Sequence, residues 1–125
     1  MEFKTYKETF GREADFYIRY RLIPESDGGR KSPAGQHIRW DWVFEGIESD
    51  DNYAMIWPEF LDPDGTAYPP DQPIPTEGIA SMWVIRESRR NFHLARVDIG
   101  IRGYCMEGPK RVASAEIVPA PNSLC

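Results

Sequence analysis

At 125 residues, 41% of them hydrophobic and 13% aromatic, the chain is long enough for one domain with a substantial core, and four Trp, six Tyr and six Phe exclude a disordered polymer. The formal charge of −5 excludes the overall basic excess of a general nucleic-acid binder. No window approaches the ~18 apolar residues of a membrane-spanning helix, and Met1-Glu2-Phe3-Lys4 lacks the basic-then-apolar order of a signal peptide. A single cytoplasmic domain over residues 1–125, without membrane contact, is therefore expected.

In chain order, Lys4–Arg12 is the one helix candidate, without a convincing apolar stripe. From Phe16 the chain alternates: Phe16, Ile18, Tyr20 and Leu22 fall on one face, and Tyr17, Arg19 and Arg21 on the other. That period of two predicts a half-buried antiparallel strand. Pro24–Gly35 holds Asp-Gly-Gly and Ser-Pro-Ala-Gly, which is loop chemistry. A second alternating run follows, with Ile38, Trp40, Trp42 and Phe44 against His37, Arg39, Asp41 and Glu45. Tyr53–Trp57 predicts a short strand closed by Pro58. The five prolines of Leu61–Thr76 (Pro63, Pro69, Pro70, Pro73 and Pro75) allow neither ladder nor helix, so this is a long stiffened loop suited to binding. Strands are then expected over Ile79–Arg86, Phe92–Ile99, Ile101–Met106 and Arg111–Val118, with a charged turn at Glu87–Asn91 and a tight one at Glu107-Gly108-Pro109-Lys110. Six or seven short strands without a repeat predict an all-β fold, a small antiparallel barrel or sandwich.

Charge is unevenly placed. Between Glu45 and Glu77 stand nine acids (Glu45, Glu48, Asp50, Asp51, Glu59, Asp62, Asp64, Asp71 and Glu77) and no Lys or Arg, which leaves the remainder mildly basic. The segment reads either as solvated loop or as a surface for a cationic partner. Cys105 lies in an apolar run and Cys125 is the last residue, a poor structural anchor, so free thiols and a reducing compartment are expected.

Catalytic and metal chemistry find little support. His37 and His93 have no metal-ligand spacing, and no P-loop is present. Cys105 would meet His93 if both lay on neighbouring strands, yet its Gly-Tyr-Cys-Met setting supplies no cation to lower its pKa and favours a buried, inert thiol. The carboxylates of Glu45–Glu77 fall on loops, where no wall desolvates them. No enzyme activity, metal or cofactor is expected. More suggestive are Arg19 and Arg21 on the outward face of the first strand and Arg39 outward on the second, which would form one guanidinium platform for phosphate or carboxylate if the strands pair. Salt bridges to Asp41 and Glu45 are the plainer reading. Trp40 and Trp42 read as core, whereas Trp57 or Trp83, if exposed, would be a protein-binding anchor.

Two patches carry a resemblance. Gly28-Gly29-Arg30-Lys31-Ser32-Pro33 followed by Ile38-Arg39-Trp40-Asp41-Trp42 is similar to a loop-and-strand segment of the C-terminal β-barrel domain of elongation factor Tu. Ile101–Ala115 resembles that domain's closing hairpin, with Arg102, Glu107, Gly108 and Val112 matching, Lys110 in place of arginine and Pro109 in place of a second glycine. The resemblance implies a six-stranded antiparallel barrel that binds the T-stem backbone of tRNA and protein partners and hydrolyses nothing. It also implies Glu107, Gly108 and Lys110 as the contacting hairpin; the GTP-binding domain has no counterpart here. The combined expectation is a non-catalytic module that recognises a macromolecule, in the first place a protein and in the second RNA, through the loops Pro24–Gly35 and Leu61–Thr76. Candidate contacts are Arg19, Arg21, Arg30, Arg39, Trp57, Glu107, Gly108 and Lys110. An acidic immunity- or antitoxin-like inhibitor acting through Glu45–Glu77 is the alternative.

Overall fold

The computed structural model describes residues 3–46 and 54–121. Glu48, Asp50, Asp51, Tyr53 and Cys125 lie outside the described residues. A short helix, α1 (Tyr6–Phe10), opens the chain. Its N-terminus is fixed by a capping box, in which the Thr5 hydroxyl accepts from the Glu8 backbone N–H and the Glu8 carboxylate accepts from Thr5. Six strands follow: β1 (Phe16–Leu22), β2 (Asp41–Phe44), β3 (Ile56–Leu61), β4 (Glu77–Val84), β5 (Arg102–Glu107) and β6 (Lys110–Val118). They form one antiparallel sheet in the order β2-β5-β6-β1-β4-β3. The sheet curls until its ends meet, where Trp42 and Ala54 exchange backbone hydrogen bonds of 2.9 and 2.8 Å. The expected small all-β barrel is this curled sheet.

Alternation along β1 comes out as read: Phe16, Ile18 and Tyr20 are buried, while Arg19 and Arg21 are exposed. Trp40, Trp42 and Phe44 also point inward, and with Ile56, Phe60, Met82, Val112 and Ile117 they fill the interior. Edge-to-face contacts link Tyr20 and Trp40 to Phe60, and Phe16 and Phe44 to Trp42. Gly103 makes room for the largest of these rings. A Cβ there would stand 2.3 Å from the Trp42 ring and 2.6 Å from the Val43 carbonyl oxygen.

Pro58 does not close a strand as expected but lies inside β3, opposite Met82. Its neighbours explain why. Phe60, two residues on and therefore facing the same way, turns its N–H and C=O away from β4 toward the side chain of Gln36. The missing N–H of Pro58 thus falls on the outer edge, where β4 needs nothing from it. Gln36 finishes this edge. Its buried amide accepts from Phe60 N–H at 2.7 Å and donates to the Phe60 and Tyr68 carbonyls at 2.7 and 3.0 Å, doing the work of a peptide group.

Phe92–Ile99 is not a strand. It enters a helix, α2 (Arg90–Leu94), preceded by a 3-10 turn over Glu87–Arg89. The apolar alternation of Phe92 and Leu94 breaks at Arg96, and Leu94 and Val97, three apart, turn together onto the core. Asp15 pins both this helix and the end of β4. Its fully buried carboxylate accepts from Val84 N–H (2.7 Å), Arg12 (2.9 Å) and Arg90 (2.6 Å).

Candidate binding surface

Loops Pro24–Gly35 and Leu61–Thr76 lie far apart in sequence, but the barrel sets them side by side. Gly35 bridges to Pro73, Ile74 N–H donates to Ala34 C=O at 3.0 Å, and Leu22 N–H donates to Thr76 C=O at 2.7 Å. The first loop folds back tightly through Gly29, where a Cβ would be 1.8 Å from the Ile23 carbonyl oxygen. Between the loops runs a groove of about 490 Å3, lined by the apolar Leu22, Ile23, Ala34 and Ile74 and by the charged Arg21, Glu25, Arg30, Lys31 and Glu77.

Arg30 and Glu107 form one clamp beneath this groove. The Arg30 guanidinium pairs with Glu107 and also donates to the Ser32 hydroxyl, and the Trp40 indole N–H donates to the same Glu107 oxygen at 3.0 Å. Burial works to raise the Glu107 carboxyl, but the hydrogen bonds from Trp40 and Arg30 and the charges of Arg30 and Lys110 outweigh it. It sits below the usual glutamate range. The two patches named in the resemblance are therefore joined in space, with Glu107 committed to holding the loop. Gly108 supplies the positive φ of 60° for the β5–β6 turn, and Lys110 is exposed beside it.

The arginine platform needs correction. β1 pairs with β4 and β6, so it never lies beside β2, and Arg39 is far from Arg19 and Arg21 in the sheet order. Arg39 stacks on the half-buried Trp57 with its guanidinium carbon 4.9 Å from the ring centroid. Arg102 takes its place: it and Arg19 stand opposite Glu116 from the two flanking strands. Arg19, Arg21 and Arg102 line a cleft of about 240 Å3 with Ser114, Glu116 and Glu77. Arg21 and Glu77, ion-paired at 3.2 Å, border both this cleft and the groove, which makes the two continuous. Of the tryptophans without a clear sequence assignment, Trp83 is buried and donates to the Ser81 hydroxyl at 2.9 Å.

Not all the acids of Glu45–Glu77 lie on loops. Glu59 is buried in β3, where its carboxylate accepts from Tyr6 N–H at 2.9 Å and meets His37 Nε2 at 2.5 Å. His37 holds a left-handed backbone (φ 64°) and stacks on Tyr6, with ring centroids 4.4 Å apart. Burial, with the charge of Glu59, pushes the Tyr6 hydroxyl up to about 12, against the opposing pull of Arg39. This cluster straps α1 across the outside of β3. Alternation placed His37 on the polar face but carried no sign of its partner 22 residues away. Asp62 caps its own turn by accepting from Asp64 and Thr66 N–H, and Glu45 accepts from the Tyr104 hydroxyl.

Among the described residues, Cys105 and His93 lie on different elements. Cys105 lies in the core opposite Trp42 and Ala113, and burial pushes its thiol up to about 12. His93 sits on α2, outside the sheet that holds Cys105. Among the described residues, no three His, Cys, Asp or Glu side chains converge as metal ligands, and no helix is long and apolar enough to cross a membrane. The sequence matches no family model, and no curated protein is significantly similar to it.

Proposed function

We propose that this chain is a non-catalytic, cytoplasmic binding module, built on a barrel like that of the elongation factor Tu C-terminal domain, which grips a protein partner in the groove between Pro24–Gly35 and Leu61–Thr76. One observation carries this reading: two long, Pro- and Gly-stiffened loops are hydrogen-bonded to each other and leave an apolar-lined, charge-bordered groove of about 490 Å3. Loops already held in place lose little freedom on binding, which favours affinity. The inert Cys105 thiol supports a non-catalytic role. Glu107 is already engaged by Arg30 and Trp40, which favours a protein in the groove over RNA on the β5–β6 hairpin.

Affinity capture with the native chain and with Ile23→Asp and Lys31→Glu variants tests this reading, with circular dichroism checking each fold. A protein retained by the native chain and lost with both variants is the expected result. Equal retention by all three refutes the groove, and a partner removed by ribonuclease refutes the protein assignment.

A further inference from the structure

The segment between β4 and β5 holds a second, unrelated feature. Phe92 on α2 is 46% exposed, and the guanidinium carbons of Arg89 and Arg96 lie over its ring at 4.3 and 4.5 Å. Arg86 belongs to the same cluster: burial lowers the pKa of His93, and the charges of Arg89, Arg96 and Arg86 all push it the same way. The Nδ1 atom of His93 is shut from solvent without a hydrogen-bond partner. Among the described residues, Arg86, Arg89 and Arg96 form no salt bridge, whereas Arg90 in their midst is bound to Asp15. Among the described residues, three arginines without a salt bridge are thus gathered in one segment, whose own acids are Glu87 and Asp98, of a chain whose net charge is −5. Repulsion among them opposes this arrangement, and a polyanion would relieve it.

We propose that this face of α2 is a binding site for an acidic segment of a partner protein, separate from the groove and not dependent on it. A guanidinium stacked on an aromatic ring keeps its in-plane N–H donors free, which suits bidentate capture of carboxylates. Arg89 and Arg96 already occupy positions over the Phe92 ring, where a stacking nucleobase would have to compete with them. Cations gathered round one imidazole match a compact acidic cluster better than the extended line of phosphates in a nucleic acid. Ile99 and Ile101, in the turn from α2 to β5, are 63% and 39% exposed and add the apolar contact typical of protein interfaces.

Fluorescence anisotropy at low salt tests the assignment, with a labelled short peptide of Glu and Leu as one probe and a single-stranded oligothymidylate of equal charge as the other. The peptide binds, and the double variant Arg89→Glu, Arg96→Glu weakens it about tenfold or more. Lys7→Glu, an exposed charge change on α1, leaves binding unchanged. Should charge reversal disturb the fold, Arg89→Gln with Arg96→Gln replaces it and shows a smaller loss in the same direction. Absence of peptide binding, indifference to both variants, or tighter binding of the oligothymidylate overturns the proposal.

Discussion

Replacing Gln36 with alanine removes four hydrogen bonds together, to Phe60 N–H, Phe60 C=O and Tyr68 C=O and, at a longer 3.3 Å, to the part-buried His37 N–H. Their losses are unequal. Phe60 C=O keeps its bond from Tyr68 N–H at 3.1 Å, so losing the amide costs it only a typical net hydrogen bond, ~0.5–1 kcal/mol. Tyr68 is half-buried, and water can replace part of its loss. Phe60 N–H has no substitute: Phe60 is fully buried, and an unpaired buried donor costs about 1–3 kcal/mol. The total is about 2–4 kcal/mol, enough to lower Tm by roughly 10 °C in a domain of this size. Guanidinium unfolding followed by tryptophan fluorescence reads the loss directly. Gln36→Met, which keeps the length and fills the space without an amide, is the decisive control. It loses nearly as much as alanine if hydrogen bonding matters. Rescue by methionine, or an alanine loss below ~1 kcal/mol, refutes the reasoning.

Other outcomes follow from the same geometry. Asp15→Ala leaves Arg12, Arg90 and Val84 N–H without their common acceptor, and chemical denaturation should register about 3–5 kcal/mol. Gly103→Ala drives a Cβ into the Trp42 ring and the Val43 carbonyl, so Tm falls and the near-ultraviolet tryptophan signal changes. The Glu107 carboxyl is lowered in the folded state, so its contribution is present above the unfolded value near ~4.3 and is lost as pH falls through the lower folded value. Glu107→Gln should therefore flatten the acid limb of a stability–pH curve. The effect is under about 1 kcal/mol because the carboxylate is half-exposed. Cys105 should resist alkylation in the folded protein and react fully in denaturant, as free-thiol titration will show.

What the sequence disclosed depended on how local the signal was. β1 and the β5–β6 hairpin were legible because alternation and a Glu-Gly turn lie within single short runs. The two loops were singled out by their proline and glycine content, and the hydrogen bonds that join them are tertiary. Pro58 misled because proline ends central strands, and no local pattern announced that β3 lies at an edge. The α2 segment misled because Phe92 and Leu94 begin an alternation that Arg96 breaks; Arg90 in its helical turn is held by Asp15, 75 residues away. Arg39 was grouped with Arg19 and Arg21 on the assumption that consecutive strands are neighbours, whereas here β1 lies between β4 and β6. His37 was read from alternation and Glu59 as one of a run of loop acids, and their pairing is long-range.

The closure of the barrel also bears on what its seam would offer to another chain. Among the described residues the sheet ends are fastened by the backbone bridge at Trp42 and Ala54 and by the Gln36 amide, a clasp rather than a weld, and its opening would bare an edge on which a foreign strand could zip. Pro58 sits midway along that edge with no hydrogen to offer. An intruder that began to pair there would meet a residue that cannot donate, so the residue that looked like a strand breaker makes that edge a poor template for a further strand.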